Sequence, residues 1–166
     1  MRRRALGAAA VLAAVAAAAA VGATATGFLL LPRATPAGDQ TYYGHVKKVT
    51  RKGSHYELRF DPAWYLSGLT ASRAALEETG SSDVPNDHYI IEEGHRLLTF
   101  VLPRTARVTV LANDGSGISS VPITVAELSR IVNGGHHRKL FEPLQSGVWI
   151  HVHIDTVRSL DQQYAP

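Results

Sequence analysis

Between Val148 and Ile154 apolar and polar residues alternate without a break. Val148, Ile150, Val152 and Ile154 share one face, and Trp149, His151 and His153 share the other. This period of two marks a strand with one side in a core. Asp155-Thr156 then reads as a turn and Val157 to Leu160 as a short returning strand, before the tail Gln162, Gln163, Tyr164 and Pro166. A closing hairpin of this kind is a wall, and the preceding segments are expected to pack against it.

Upstream, Tyr42 to Thr50 reads as a strand with a bulge, because Val46 and Val49 stand three apart. Arg51 to Ser54 is a turn. His55 to Phe60 alternates cleanly, with Tyr56, Leu58 and Phe60 on one face, and completes a first hairpin. Asp61-Pro62 is expected to end that strand, since Pro cannot donate to a ladder. Ala63 to Gly68 is a compact aromatic segment, followed by a helix capped at Thr70 and running to Glu78. His88 to Glu92, Leu97 to Leu102 and Arg107 to Leu111 are further strands, with turns at Glu93-Gly94 and Pro103-Arg104. Asn113 to Gly117 is a turn cluster. Thr124-Val125-Ala126-Glu127 has the spacing of a capping box and opens a helix with Val125, Leu128, Ile131 and Val132 inward. Asn133-Gly134-Gly135 stops it. About seven short strands and two short helices, mostly joined by hairpins, predict a β-rich α+β domain. The expected architecture is a small, partly open antiparallel barrel over residues 41–166.

The N-terminus is of another kind. Met1 to Arg4 is basic, and Ala5 to Leu31 is an uncharged apolar run of 27 residues. A positive end followed by such a run reads as an export segment that forms an apolar helix. Ala23-Thr24-Ala25 offers a cleavage pattern, whereas Phe28 to Leu31 prolongs the run enough to anchor it in a membrane. Residues 1–31 are thus a signal peptide or a membrane anchor, 32–40 a linker, and the domain is expected outside the cytoplasm, secreted or tethered. The formal charge of +3 belongs to this leader and its linker, which hold Arg2, Arg3, Arg4 and Arg33. From Asp39 onward 13 Lys plus Arg face 14 Asp plus Glu. With no basic stripe, nucleic acid is not an expected partner. The chain has no cysteine, which removes disulfides, thiolate metal sites and a Cys nucleophile.

One resemblance is carried by residues in order along the chain. These are Asp61-Pro62-Ala63-Trp64-Tyr65-Leu66-Ser67-Gly68 with Ala71 and Ala74-Ala75, then Pro85 to Ile90, Ile123 to Leu128, Trp149-Ile150 and Gln162-Gln163-Tyr164-Ala165-Pro166. The sequence resembles a family of small extracytoplasmic bacterial domains of unassigned function, which follow a signal or anchor and end in a Gln-Tyr-x-Pro-like tail. Its Ala-rich, Arg-led leader has an actinobacterial look. The resemblance implies location and domain type and carries over no catalytic or ligand residue. Asp155-Thr156 stands where that pattern would place a Gly-containing turn.

Three constellations bear on chemistry. His151 and His153, two apart on one strand, place both imidazoles on the same face, a spacing found in zinc sites. A third ligand would have to come from His136, His137, His55 or Asp155; the alternative is a solvated strand face. Asp61, Asn86, Asp87 and Asn113-Asp114 carry oxygens near turns, either as Ca²⁺ ligands or as Asx caps, and no stretch has the alternating pattern of a calcium loop. Trp64, Tyr65, Tyr89 and Trp149 either line a groove for an extended polymer such as a wall glycan or serve as core and rim residues. The adjacent pairs Glu77-Glu78 and Glu92-Glu93 diverge on any regular element, and no nucleophile elbow or phosphate loop is present. The expected function is a non-catalytic exported or membrane-tethered module that binds an envelope protein or a wall polymer, with no resident cofactor. The competing expectations are a small metal-dependent hydrolase built on His151 and His153, with zinc as the candidate ion, and a structural partner of a membrane protein.

Overall fold

The computed structural model describes residues 38–92, 94, 97–113, 115 and 117–164. The leader, the linker through Ala37, Glu93, His95, Arg96, Asp114, Ser116, Ala165 and Pro166 lie outside the described residues. Among the described residues no helix is long and apolar enough to cross a membrane.

Among the described residues eight strands and two α-helices follow one another as β1 (Asp39–Lys52), β2 (His55–Ser67), α1 (Gly68–Thr79), β3 (His88–Ile91), β4 (Leu98–Pro103), β5 (Arg107–Asn113), β6 (Ile118–Ile123), α2 (Val125–Val132), β7 (Val148–His153) and β8 (Thr156–Gln162). The sheet runs β3-β2-β1-β7-β8-β5-β6, and β4 pairs with both β2 and β8. The strands β1, β2, β4, β8 and β7 therefore follow one another round a partial ring. Its seam is thin: β4 meets β8 at a single register pair, Val101↔Thr156, supported by the Val101 N–H to Asp155 C=O bond of 2.8 Å. That pairing and β5 with β8 are parallel, so the sheet is mixed where all-antiparallel pairing was expected.

Alternation builds the interior. Tyr56, Leu58 and Phe60 of β2, Phe100 and Leu102 of β4, Val108 and Val110 of β5, and Val148, Ile150 and Val152 of β7 all point into one core, closed by Val125 and Leu128 of α2. Leu58, Phe60, Leu102, Leu128, Ile150 and Leu160 are wholly buried. At about 25 cal/mol per Å² of apolar surface removed from water, this shared core is the main stabilising term in a chain without disulfides. The bulge expected in β1 lies between Val46 and Lys48; the extra residue, Lys47, reaches Asp61 at 3.0 Å.

The structure corrects several expectations. β1 begins at Asp39, inside the expected linker, and α1 begins at Gly68, before Thr70. β6 is an eighth strand in a stretch that showed no strand signal, Ser119, Ser120 and Pro122 making it polar; it is a sheet edge, where one side faces solvent. The β7–β8 turn falls at Ile154-Asp155, between the paired His153 and Thr156. Ile154 accordingly leaves the core face, is 66% exposed and adopts φ +56°, a left-handed conformation that its branched side chain disfavours. Thr124 caps α2 by accepting the Glu127 N–H at 3.1 Å, but the Glu127 carboxylate turns to Arg138 Nε at 2.8 Å rather than closing the box.

β2 runs straight through Asp61-Pro62. Pro62 lies beyond the last β4 pair, Phe60↔Leu98, and before the first β3 pair, Trp64↔Ile91, so its missing N–H faces no partner strand. On the other edge Pro62 lies opposite Gly44 of β1. A Cβ on Gly44 would stand 2.1 Å from the Asp61 carbonyl oxygen and 2.9 Å from Pro62 Cα, so only glycine allows the two strands to touch here. One pair later, at Tyr43↔Ala63, their ladder ends. β1 continues along β7 and β2 along β3, and the two pairs separate like the tines of a fork.

Candidate functional site

The fork opens a groove of about 300 Å³ lined by Thr41, Tyr42 and Tyr43 of β1, Pro62 to Tyr65 of β2, Leu98 and Trp149. At its vertex three rings meet: Tyr43 and Tyr65 at 5.0 Å, Tyr43 and Trp149 at 5.1 Å, Tyr65 and Trp149 at 5.4 Å, all tilted or edge-on. Each such pair contributes about 1 kcal/mol beyond its buried area. The triangle follows from register, because Tyr43 lies opposite both Ala63 and Trp149, and Tyr65 shares the face of Ala63. Tyr65 also stacks flat on His88, at 5.0 Å and 8°, and Trp149 Nε1–H donates to Gln163 Oε1 at 2.9 Å. The rigid rings therefore form a fixed floor. On the opposite side of the strands Tyr42 packs beside Phe100, while Trp64 is 56% exposed. The indole thus stands more than half in water at the rim of an apolar groove.

Tyr43 is the keystone. Buried at 3% exposure, it donates its hydroxyl hydrogen to the Ser146 carbonyl at 3.0 Å. Its hydroxyl lies flush over Gly147, where a Cβ would stand 2.1 Å away. Burial, then the negative charge that Tyr65, Glu92 and Glu142 would present, pushes its pKa from the ordinary 10.0 up to about 12. The folded chain thus keeps a proton that the unfolded chain sheds. This contribution to stability is complete below pH 10 and is lost as pH rises toward 12. Stability is expected to fall across that window, and a tyrosinate absorbance titration should show a late step that Tyr43→Phe removes. A late step that persists in Tyr43→Phe would assign it to another ring.

Of the four aromatics singled out in the sequence, three come together here: Trp64, Tyr65 and Trp149. Tyr89 does not line the groove; it pairs with Leu66 and its hydroxyl donates to Glu78 Oε2 of α1 at 2.9 Å. Tyr42 and Tyr43 complete the lining and went unnoticed in the sequence, although they stand next to the first β-branched positions of β1.

The two histidines of β7 share a face, as their spacing requires, but each is engaged across the ladder to β1. His151 Nδ1 meets Thr41 Oγ1 at 2.9 Å, and His153 Nδ1 meets the Asp39 carboxylate at 2.5 Å. Among the described residues no three His, Asp or Glu side chains gather as a metal-ligand group, so neither His55, His136, His137 nor Asp155 completes a set with them. What the two imidazoles visibly do is fasten the N-terminal half of β1 to β7. Of the oxygen-bearing turn residues, Asp61 pairs with Lys47, and Asn113 Oδ1 accepts the Gly115 N–H at 2.9 Å as an Asx turn.

No protein-family model, no curated protein and no solved structure matches this chain.

Proposed function

We propose that this chain is a non-catalytic exported module, tethered or released by its N-terminal segment, that holds a partner from the cell envelope in the aromatic groove. The partner is an envelope protein or a wall polymer. In this reading the ring of strands is a small, partly open barrel, and the groove lies at its mouth. The single observation that supports it most is Trp64. It projects into solvent at 56% exposure beside a floor of interlocked rings, where folding gains little from it and a bound chain would gain much.

The test uses the full-length protein against isolated envelope and wall fractions of the producing cell. Trp64→Ala is expected to weaken retention about 30-fold, the effect of removing a tryptophan anchor worth roughly 2 kcal/mol. Its melting temperature should stay within about 2 °C of wild type, because the ring is already hydrated. Undiminished retention of Trp64→Ala would remove the groove from the function.

A further inference from the structure

The groove has a second property besides its rings: its walls are strand edges with unused hydrogen bonds. The phase of the β1–β7 ladder is set by the bond from the Ile154 N–H to the Gly38 carbonyl, 2.7 Å. In antiparallel pairing every second residue bonds to a given neighbour. Gly38, Gln40, Tyr42 and Gly44 therefore bond toward β7, and Asp39, Thr41 and Tyr43 toward the other edge. Tyr43 meets Ala63 there, but the ladder to β2 stops at that pair. Among the described residues, the N–H and C=O of Asp39 and Thr41 on this edge have no backbone partner in the register of any strand, and Thr41 lines the groove. The matching positions on β2 are Tyr65 and Ser67, and at Ser67 the chain already turns into α1. The β1 side is thus the longer free edge.

Resting on the groove reading above, we propose that the occupant is an extended polypeptide segment that adds to β1 as a strand, in the place β2 vacates beyond Ala63. Three observations favour a polypeptide over a glycan. Two consecutive same-edge residues offer paired donors and acceptors at strand spacing, which a peptide backbone complements along its length. The edge is already rigid, because Thr41–His151 and Asp39–His153 fasten it to β7, so little ordering accompanies binding. The two sides of the fork are both apolar, Tyr42, Trp64 and Leu98 on one and the Tyr43–Tyr65–Trp149 floor on the other, and they suit a strand whose side chains alternate between them. The histidine pair thereby acquires a positioning part in binding.

The probe is a displayed library of random dodecapeptides selected against the full-length protein, followed by synthesis of one selected peptide. In the free protein the amides of Asp39 and Thr41 should exchange hydrogen fast and those of Gln40 and Tyr42 slowly. At a peptide concentration of about 100 Kd, exchange at Asp39 and Thr41 should slow by up to roughly 100-fold. N-methylation of the peptide at alternate residues should abolish binding in one phase and spare it in the other. Binding indifferent to N-methylation, or without protection of Asp39 and Thr41, overturns strand addition. If no peptide is recovered while solubilised wall-glycan fragments bind wild type and not Trp64→Ala, the polypeptide proposal fails and the groove function stands. If neither probe binds, both fail.

Discussion

Gly44→Ala is expected to lower the melting temperature by roughly 10 °C, a loss of about 3 kcal/mol. The added Cβ would sit 2.1 Å from the Asp61 carbonyl oxygen; a Cβ is fixed by its own backbone and the atom it meets is backbone, so no side-chain rotation relieves the contact. β1 and β2 must then separate at the pair that precedes Tyr43↔Ala63. Strain at this point propagates into the vertex of the fork, because Tyr43 is the next residue and carries the ring triangle. Gly44→Ala should therefore also shift the near-ultraviolet circular dichroism of the aromatic cluster. Gly53→Ala is the comparison, since open space surrounds that turn glycine; its cost should come only from its φ of +57°. Equal melting temperatures for the two variants would mean that β1 and β2 do not approach this closely.

Gln162→Leu should cost about 3 kcal/mol, read as a drop in the denaturant midpoint with an unchanged slope. The side chain is buried, and each end of its amide is used. Oε1 accepts the Leu111 N–H at 2.8 Å, and Nε2 donates to the carbonyls of Glu142 at 3.1 Å and Pro143 at 3.4 Å. β8 pairs with β5 only at Arg107 to Thr109, so this amide extends the ladder where the strand itself no longer can. Leucine fills the volume but takes the acceptor from the buried Leu111 N–H and removes the donor to the loop carbonyls. Gln163→Leu, which releases the half-buried Trp149 Nε1–H and the exposed Tyr164 carbonyl, should cost about 1 kcal/mol. If Gln162→Leu is as stable as wild type, the amide is not the bridge between β8 and the 140s loop.

This contrast explains the Gln162-Gln163 tail in physical terms: one amide closes the sheet within and the next holds the floor of the groove without. The pattern was visible in the sequence; its two roles were not, because adjacent strand residues face opposite sides and nothing local says what each will meet. The strands with a buried face, β2, β4, β5, β7 and β8, were legible because burial imposes alternation. So was the bulge in β1, because the spacing of Val46 and Val49 breaks the period. β6 escaped because a polar edge strand has no such constraint. Pro62 misled because its lost donor matters only where a partner strand waits, and partner choice is a long-range fact. The same limit hid the groove. Trp64 and Tyr65 stood out by size, but the fork depends on β2 changing partners from β4 to β3 and parting from β1.

The seam between β4 and β8 carries a consequence for breathing of the native state. Because one register pair, which includes the Val101 N–H to Asp155 C=O bond, joins those strands, while β7 is laddered along both its edges, the ring can unzip there without disturbing the rest. Such a partial opening would wet Leu102 and Val157, both otherwise fully buried, well before cooperative unfolding. The same event would bare a parallel pair of strand edges. An excursion at this seam thus also invites self-association.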